Sequence, residues 1–317
     1  MQIIDFTVKY VEKAAQIANQ NYKEERAFVT TLPPIDKLPD LTDFATNRRG
    51  VAAEDNGELL GFFCWLTPWD SHFGLSKGTW SPVHAHGANQ QKRSEIYDRL
   101  YQAAAKKLVS DGVFCHSVTL YEHDRDANES FFQNGFGRRC VDAIRETTPI
   151  VSTPCDDLTF RRADINDAEA ITEMRNSTST HLSQTPMFMP FLNPVTAADT
   201  IKQIDCAEYL YFIAIKQNRP IAYYRIQKSG ENFACDDVSM MNITGAYALP
   251  DYRGSGVAVH LLSWLMDWLH GHGYSRCGVD FERFNFAARK FWLKYFTAYT
   301  NGAVRRIDER ICSKTVQ

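Results

Sequence analysis

The sequence repeats a set of motifs after about 160 residues, and this repeat limits the possible folds more than any other feature. The segment FFQNGF at 131–136 corresponds to FWLKYF at 291–296. A long helical pattern precedes each segment, and the two patterns end at Gly112 and Gly273, which are 161 residues apart. Self-similarity at a long, fixed period indicates a repeated structural unit. The sequence therefore predicts two similar domains.

The segments before the two helical patterns also correspond. GVAAEDNGELLGFFCW at 50–65 and YLYFIAIKQNRPIAYYRIQ at 209–227 each contain two apolar runs around a polar turn. This pattern is typical of a β-hairpin. The Pro- and Asp-rich stretch TTPIVSTPCDD at 147–157 reads as a linker. We therefore expect α+β domains at residues 1–150 and 157–317.

Charge and apolar content narrow the possible partners. The net charge of −3 gives no basic field that would attract nucleic acid or an anionic membrane surface. No apolar run approaches the roughly 20 residues that span a bilayer, and the start MQIIDFTVKYVEK lacks the apolar core of a signal peptide. The eight cysteines are dispersed, which favours reduced thiols and a cytoplasmic location. We expect no nucleic-acid or membrane partner, and the oligomeric state stays open.

Two histidines alternate in SPVHAHG in a way that is typical of some metal sites. His84 and His86 have no third ligand clustered beside them in the sequence, and zinc ligands usually occur in clusters. The sequence therefore predicts a strand with two surface histidines, and no metal site.

A glycine-rich turn joins a strand-like run to a helical pattern in the second half. ITGAYAL at 243–249 is followed by PDYRGSG, and then by VAVHLLSWLMDWLHGHG. The first turn of a helix leaves backbone N–H groups unpaired, and glycine lets a ligand approach them. This combination is typical of a phosphate-binding site, although glycine-rich turns that bind nothing also occur.

In residues 157–317 the chain resembles the GNAT acetyltransferase superfamily, whose acetyl-CoA motif is Q/R-x-x-G-x-G/A. Here the motif runs from Arg253 to Ala258, and the family's later Asn-x-x-Ala helix start is matched by Asn285 and Ala288. The resemblance implies two tandem GNAT-like domains, each a mixed, mostly antiparallel sheet flanked by helices. It also implies acetyl-CoA as co-substrate, without a metal. The implied coenzyme-binding residues are Ala248, Leu249, Arg253, Gly254, Ser255, Gly256, Val257, Ala258 and Asn285.

The first half looks like a degenerate copy of the same domain. Aligning the two helical patterns places Lys92 where the motif has its arginine, and Glu95 where it has Gly256. A carboxylate beside a pyrophosphate is repulsive. We therefore expect that residues 1–150 do not bind coenzyme A and are non-catalytic, in a tandem layout similar to that of mycothiol synthase.

The acid that protonates the leaving thiolate is ambiguous in the sequence. Many relatives carry Tyr seven residues after the motif Asn, where this chain has Trp292. Tyr295 lies about one helical turn further along and is our candidate, and Tyr299 is another. Two alternatives stay open: Tyr295 packs in the core, or no side-chain acid is used.

Asp280 and Glu282 in GVDFERF are the candidates for binding or deprotonating the acceptor. Their alternation in a strand places both carboxylates on one face. A solvated face, or pairing with Arg276 and Arg283, is the competing interpretation.

The resemblance implies an N-acetyltransferase that moves an acetyl group from acetyl-CoA to a primary amine, with a small molecule as the expected acceptor. A protein amine, an alcohol or a thiol remains an alternative acceptor. A catalytically inactive coenzyme A sensor or an interaction scaffold is the alternative function.

Overall fold

The computed structural model describes residues 1–151, 157–190, 193–206 and 208–312. The strands are β1 (Gln2–Asp5), β2 (Gly50–Asp55), β3 (Glu58–Cys64), β4 (Gly78–Ser81), β5 (His86–Ala88), β6 (Cys115–Tyr121), β7 (Gly137–Glu146), β8 (Thr159–Arg162), β9 (Tyr209–Lys216), β10 (Arg219–Gln227), β11 (Met240–Ala248), β12 (Arg276–Glu282) and β13 (Thr297–Arg306). The α-helices are α1 (Val11–Phe28), α2 (Thr42–Thr46), α3 (Arg93–Ser110), α4 (Arg125–Gln133), α5 (Ala168–Ser183), α6 (Ala197–Asp205), α7 (Val257–Gly271) and α8 (Phe286–Tyr295).

The chain divides into two compact units. The first unit comprises Met1–Val141 together with Ala298–Gln317, and the second comprises Asp142–Thr297. This division differs from the expected boundaries at the C-terminus, because β13 pairs with β6 of the first unit from Thr300 to Arg306. A strand's apolar pattern does not specify its partner, so the sequence placed these residues in the second domain.

The first unit contains an antiparallel sheet in the order β1-β2-β3-β5. Its β2–β3 hairpin turns at Asn56 and Gly57, which take left-handed φ values of 49° and 87°, as the Asn-Gly signal predicts. A second set of strands places β6 between β4 and β13. Helix α3 packs Tyr97 and Tyr101 into the main apolar core of this unit.

One of the two histidines of SPVHAHG departs from the surface prediction. His86 is only 4% exposed, and its ring bonds the Tyr97 hydroxyl at 3.1 Å and the Thr119 carbonyl at 2.8 Å. His84 is half-buried. The prediction of surface histidines is therefore wrong for His86, because a strand pattern does not reveal which of its faces will be covered.

The second unit contains a sheet in the order β12-β11-β10-β9-β8. The β9–β10 hairpin turns at Gln217 and Asn218, both left-handed, at the predicted position. Helix α7 buries Leu261, Leu265 and Leu269, which recur every four residues and so form one apolar face. This face places the N-terminus of α7 beside the end of β11.

Strands β11 and β12 run parallel for only part of their length. Their pairing extends from Met240 opposite Arg276 to Ile243 opposite Val279, while β11 continues to Ala248. A register shift between β10 and β11 lies at the same level, beside Arg225. Strands β11 and β12 therefore separate beyond Ile243, and the edge of β11 is left open.

Helix caps repeat between the two units. The Asp124 carboxylate accepts a hydrogen bond from the Ala127 N–H at 3.0 Å at the start of α4. The Asn285 side chain accepts one from the Ala288 N–H at 3.2 Å at the start of α8. Asp124 and Asn285 are 161 residues apart, which is the offset of the sequence repeat.

The long central helices begin differently. The residue before α7 is Gly256 and the residue before α3 is Lys92, and both are left-handed. Counted from the helix start, Lys92 rather than Glu95 occupies the place of Gly256. Glu95 lies in the first turn of α3, half-exposed, 3.5 Å from Arg99. The alignment through the helix ends missed this because α3 has 18 residues and α7 has 15.

Candidate active site

The glycine-rich turn leads directly into helix α7. Gly254 and Gly256 have φ values of +79° and +91°, a conformation that residues with a Cβ adopt only with strain. A Cβ on Gly256 would lie 3.1 Å from a carbon of the His260 ring. No acidic residue lies in the first turn of α7. The Ser255 N–H already donates to the Tyr252 carbonyl at 3.3 Å. The first turn of α7 still presents N–H groups without intrahelical partners and the positive end of the helix dipole.

A groove of about 640 Å³ lies in front of this turn. One wall is the open edge of β11, with Ala246, Tyr247 and Ala248, and the opposite wall is helix α8. Its lining is mainly apolar, and Lys290, Lys294 and Arg253 contribute positive charge. The separation of β11 from β12 creates the space.

The predicted coenzyme-binding residues fall into two sets. Six of them line the groove: Ala248, Arg253, Gly254, Gly256, Val257 and Ala258. Leu249, Ser255 and Asn285 lie outside this lining. Leu249 donates its N–H to the Ile221 carbonyl, the Ser255 hydroxyl donates to the Tyr252 carbonyl, and Asn285 caps α8. These three residues hold the surrounding backbone in place.

Arg253 is exposed beside the turn. Its Nε donates a hydrogen bond to the Ala248 carbonyl at 3.1 Å, and its guanidinium carbon lies 5.0 Å from the centre of the Tyr247 ring. Both contacts hold the arginine against the end of β11, because Tyr247 and Ala248 are the last two residues of that strand. The arginine is therefore positioned to add positive charge to an anion bound at the turn.

The inner end of the groove is aromatic, which the sequence did not reveal. Tyr224 and Trp292 are both buried, with ring centres 5.7 Å apart. The Tyr224 hydroxyl donates a hydrogen bond to the Ala258 carbonyl at 2.8 Å, and burial raises the pKa of this hydroxyl. Tyr224 therefore supports the first turn of α7. The sequence signal that could have identified Tyr224 is its position in the β9–β10 hairpin pattern, on the face of β10 that is turned toward α7.

Tyr295 lines the groove and is half-buried, whereas Tyr299 does not line it. Tyr299 is 1% exposed and lies on β13 in the first unit. Trp292 occupies the place next to Tyr295 on the groove wall. Of the two tyrosines named from the sequence, Tyr295 is the one that the groove contains.

Asp280 and Glu282 lie on β12 outside the groove lining. Their neighbours Val279 and Phe281 are buried, while Asp280 is exposed and Glu282 half-buried, so the strand alternates as predicted. Asp280 directly follows the last paired residue of β12, at the point where β11 and β12 separate.

The surroundings of Asp280 change its acidity. The protein atoms packed around Asp280 reduce its solvation, and this effect, followed by the negative charges of Asp142 and Glu231, raises the pKa of Asp280 to about 7, although its side chain is exposed at the surface. Asp142 is 8% exposed and accepts a hydrogen bond from the Asn232 amide at 2.9 Å. We call Asp142, Glu231 and Asp280 the acidic cluster.

The groove has the features that a coenzyme A thioester requires. The left-handed glycines and the N-terminus of α7 suit a pyrophosphate, the apolar walls suit a pantetheine arm, and the open β11 edge offers backbone hydrogen bonds. Over the described ranges, no group of three or more His, Cys, Asp or Glu side chains could hold a metal ion. In the same part of the chain, no helix is both long and apolar enough to cross a membrane.

The chain is similar to known acetyltransferases in sequence pattern and in fold. Residues 176–296 match the model of the Acetyltransferase (GNAT) family. No curated protein matches the sequence. A GCN5-related N-acetyltransferase from Sphaerobacter thermophilus has 11% sequence identity and a TM-score of 0.57, over 96% of this chain and 95% of its own. One from Kribbella flavida has 12% identity and a TM-score of 0.47, over 95% and 98%. The first of these likenesses extends the GNAT-type fold over both units.

Proposed function

We propose that this chain, whose residues 176–296 form a GNAT-family acetyltransferase domain, transfers the acetyl group of acetyl-CoA to a primary amine of a small molecule. The observation that carries the proposal is the groove of the second unit. It joins two left-handed glycines at a helix N-terminus to an open strand edge within about 640 Å³.

The turn and the strand edge would divide the binding of acetyl-CoA between them. The backbone at Gly254, Ser255 and Gly256 would hold the pyrophosphate, with Arg253 adding charge. A hydrogen bond to a charged group contributes about 1.5–3 kcal/mol. The backbone of Ala246–Leu249 would bind the pantetheine arm and polarise the thioester carbonyl. Acetyl-CoA itself supplies an activated acyl group on a thiol leaving group.

The acidic cluster supports an amine as the acceptor. Asp142, Glu231 and Asp280 concentrate negative charge where β11 and β12 separate. Such a cluster attracts an ammonium ion electrostatically. With a pKa of about 7, Asp280 can accept a proton near neutral pH. Asp280 would therefore act as the base, and Glu282 on the same face of β12 would assist in binding.

Tyr295 is the proposed acid for the leaving thiolate. It lines the groove, in contrast to Tyr299. Trp292 has no acidic proton and packs against Tyr224 instead. Because a thiol has a pKa of about 8.5, the thiolate leaves readily enough that the acid accelerates the reaction without being essential.

An amine-dependent release of free thiol tests the proposal. Acetyl-CoA is incubated with the protein and a panel of primary amines, and the thiol is measured with a disulfide reagent. Matched tertiary amines serve as controls, because they have no N–H to exchange for an acetyl group. Matched alcohols test the alternative acceptor, because transfer to oxygen would also release thiol. We expect thiol release with at least one primary amine and none with its tertiary analogue.

Trp292 in the groove favours one second candidate, a protein that binds coenzyme A without turnover. The two functions give different results in the same experiments. Saturable acetyl-CoA binding without thiol release across the whole panel would support the sensor. Thiol release that depends on the amine would exclude it.

A further inference from the structure

The first unit contains a pocket of its own. It has a volume of about 660 Å³ and lies between the C-terminal half of α1, the start of α3 and the connection from β6 to α4. Gln90 and Arg93 line it at the start of α3, so it lies at the same helix end as the groove of the second unit. The function proposed above does not use this pocket.

Carboxylates dominate the charge of this pocket. Its lining contains two arginines, one histidine and five carboxylates: Glu24, Glu25, Glu122, Asp124 and Asp126. Burial raises the pKa of Glu25 to about 7, but the other four carboxylates still outnumber the two arginines. This excess of negative charge disfavours phosphate and attracts a cation. It is the opposite of the charge around the second-unit groove, where Arg253, Lys290 and Lys294 lie.

Arg93 does not reverse this excess, because two of the carboxylates already bind it. Its guanidinium donates to Glu24 at 2.7 Å and to Asp124 at 3.1 Å. Arg93 is 6% exposed, and its Nε is buried without a hydrogen-bond partner among the described residues. The arginine is therefore fixed in place, with one donor unused.

Tyr121 gives an independent indication of a missing ligand. Tyr121 is one of the residues that line the pocket and is 5% exposed, and its hydroxyl is buried and bonds to no group that the structure describes. Leaving a buried hydroxyl unpaired costs about 1–3 kcal/mol. An unpaired hydroxyl on a residue that lines a polar pocket points to a ligand that supplies its hydrogen-bond partner.

Three further residues of the lining offer an apolar surface and a buried acid. Phe28 stacks on the His123 ring with centres 4.9 Å apart and planes 4° apart. Glu25, which is 2% exposed, accepts hydrogen bonds from the His123 ring at 2.7 Å and from its N–H at 3.1 Å. A ligand with a flat apolar body could pack beside Phe28 while its charged end lies near the carboxylates.

We propose that this pocket binds a small organic ammonium ion, whose N–H groups donate to the Tyr121 hydroxyl and to the carboxylates around Arg93. The ammonium group fits the excess of carboxylates, and an apolar body fits the Phe28 and His123 surface. The first unit then contributes a binding site for a cation rather than a second coenzyme A site.

Benzylamine is a suitable probe, because it joins a protonated amine to a flat ring. Isothermal titration at pH 7.5 into the full chain is compared with benzyl alcohol and benzoate, which share the ring but differ in charge. We expect saturable binding of benzylamine, and at least about tenfold weaker binding of the two analogues. Absence of benzylamine binding, or equal binding of benzyl alcohol, overturns the proposal.

Two variants assign the binding to this pocket rather than to the acidic cluster. Tyr121→Phe removes the unpaired hydroxyl, so the fold should be no less stable while benzylamine binding weakens about tenfold. Asp280→Asn in the second unit should leave this binding unchanged. If Tyr121→Phe fails to fold, Glu24→Gln provides the same test. Benzylamine binding that Asp280→Asn abolishes and Tyr121→Phe leaves intact contradicts the proposal, whatever the outcome for acetyl transfer.

Discussion

Asp280→Asn should remove a pH dependence that the acidic cluster creates. With a pKa of about 7, the carboxylate of Asp280 is about one-tenth ionised at pH 6 and about nine-tenths ionised at pH 8. The ionised form is the one that accepts a proton or binds an ammonium ion. The Asp280-dependent part of kcat/KM should therefore rise about tenfold between pH 6 and pH 8, and it should be lost in Asp280→Asn.

A substitution of Glu231 tests whether the pH dependence comes from Asp280. Glu231→Gln removes one of the negative charges that raise the pKa of Asp280. The acidic limb of the profile should then move to lower pH, while the plateau at pH 8 stays near the wild-type value. Arg225, which acts on Asp280 in the opposite direction, stays in place. Glu169→Gln, at an exposed carboxylate in the first turn of α5, is the matched control and should leave the profile unchanged.

The assay is thiol release from acetyl-CoA at several pH values, with the amine that gives the highest rate. Deprotonation of the amine itself also raises the rate with pH, and this contribution is common to all the variants. The comparison between variants therefore isolates Asp280. An unchanged profile in both Asp280→Asn and Glu231→Gln would refute the assignment of Asp280 as the base.

Two further predictions concern helix α8. Tyr295→Phe should lower kcat by about 10²-fold or more if its hydroxyl protonates the thiolate, with the dissociation constant of acetyl-CoA unchanged; equal kcat values would remove Tyr295 from the mechanism. Trp292→Ala should lower the free energy of unfolding by about 3–5 kcal/mol in urea denaturation, because Trp292 is 5% exposed and packs on Tyr224 and Phe296. Phe286→Ala, at a 60% exposed position on the same helix, should cost less than about 1 kcal/mol, and equal losses would contradict this account.

Features that depend on a few adjacent residues were predictable from the sequence. The Asn56-Gly57 turn, the Gln217-Asn218 turn and the helix after Gly256 all lie where the sequence placed them. Each of these depends on a local requirement, either a left-handed φ or a helix start. The same local requirement explains why Asp124 and Asn285 recur at one offset.

Features that depend on distant pairing were not predictable. Strand β13 joins the first unit because it pairs with β6, about 180 residues earlier in the chain, and nothing in either apolar pattern specifies that partner. The charges around Asp280 come from Asp142 and Glu231, which lie on separate segments. The aromatic end of the groove likewise requires β10 and α8 to meet, which only the folded chain defines.

The most direct test of the central claim is calorimetric titration of acetyl-CoA into wild type, Gly256→Glu and Gly271→Glu. A side chain at Gly256 requires a strained φ of +91°, approaches His260, and puts a negative charge beside the turn. Gly271 lies at the other end of α7, where an added Cβ meets no atom within 4 Å. We predict one site per chain in wild type and in Gly271→Glu, and no binding in Gly256→Glu. Unchanged binding in Gly256→Glu, or two sites per chain in wild type, would contradict the account.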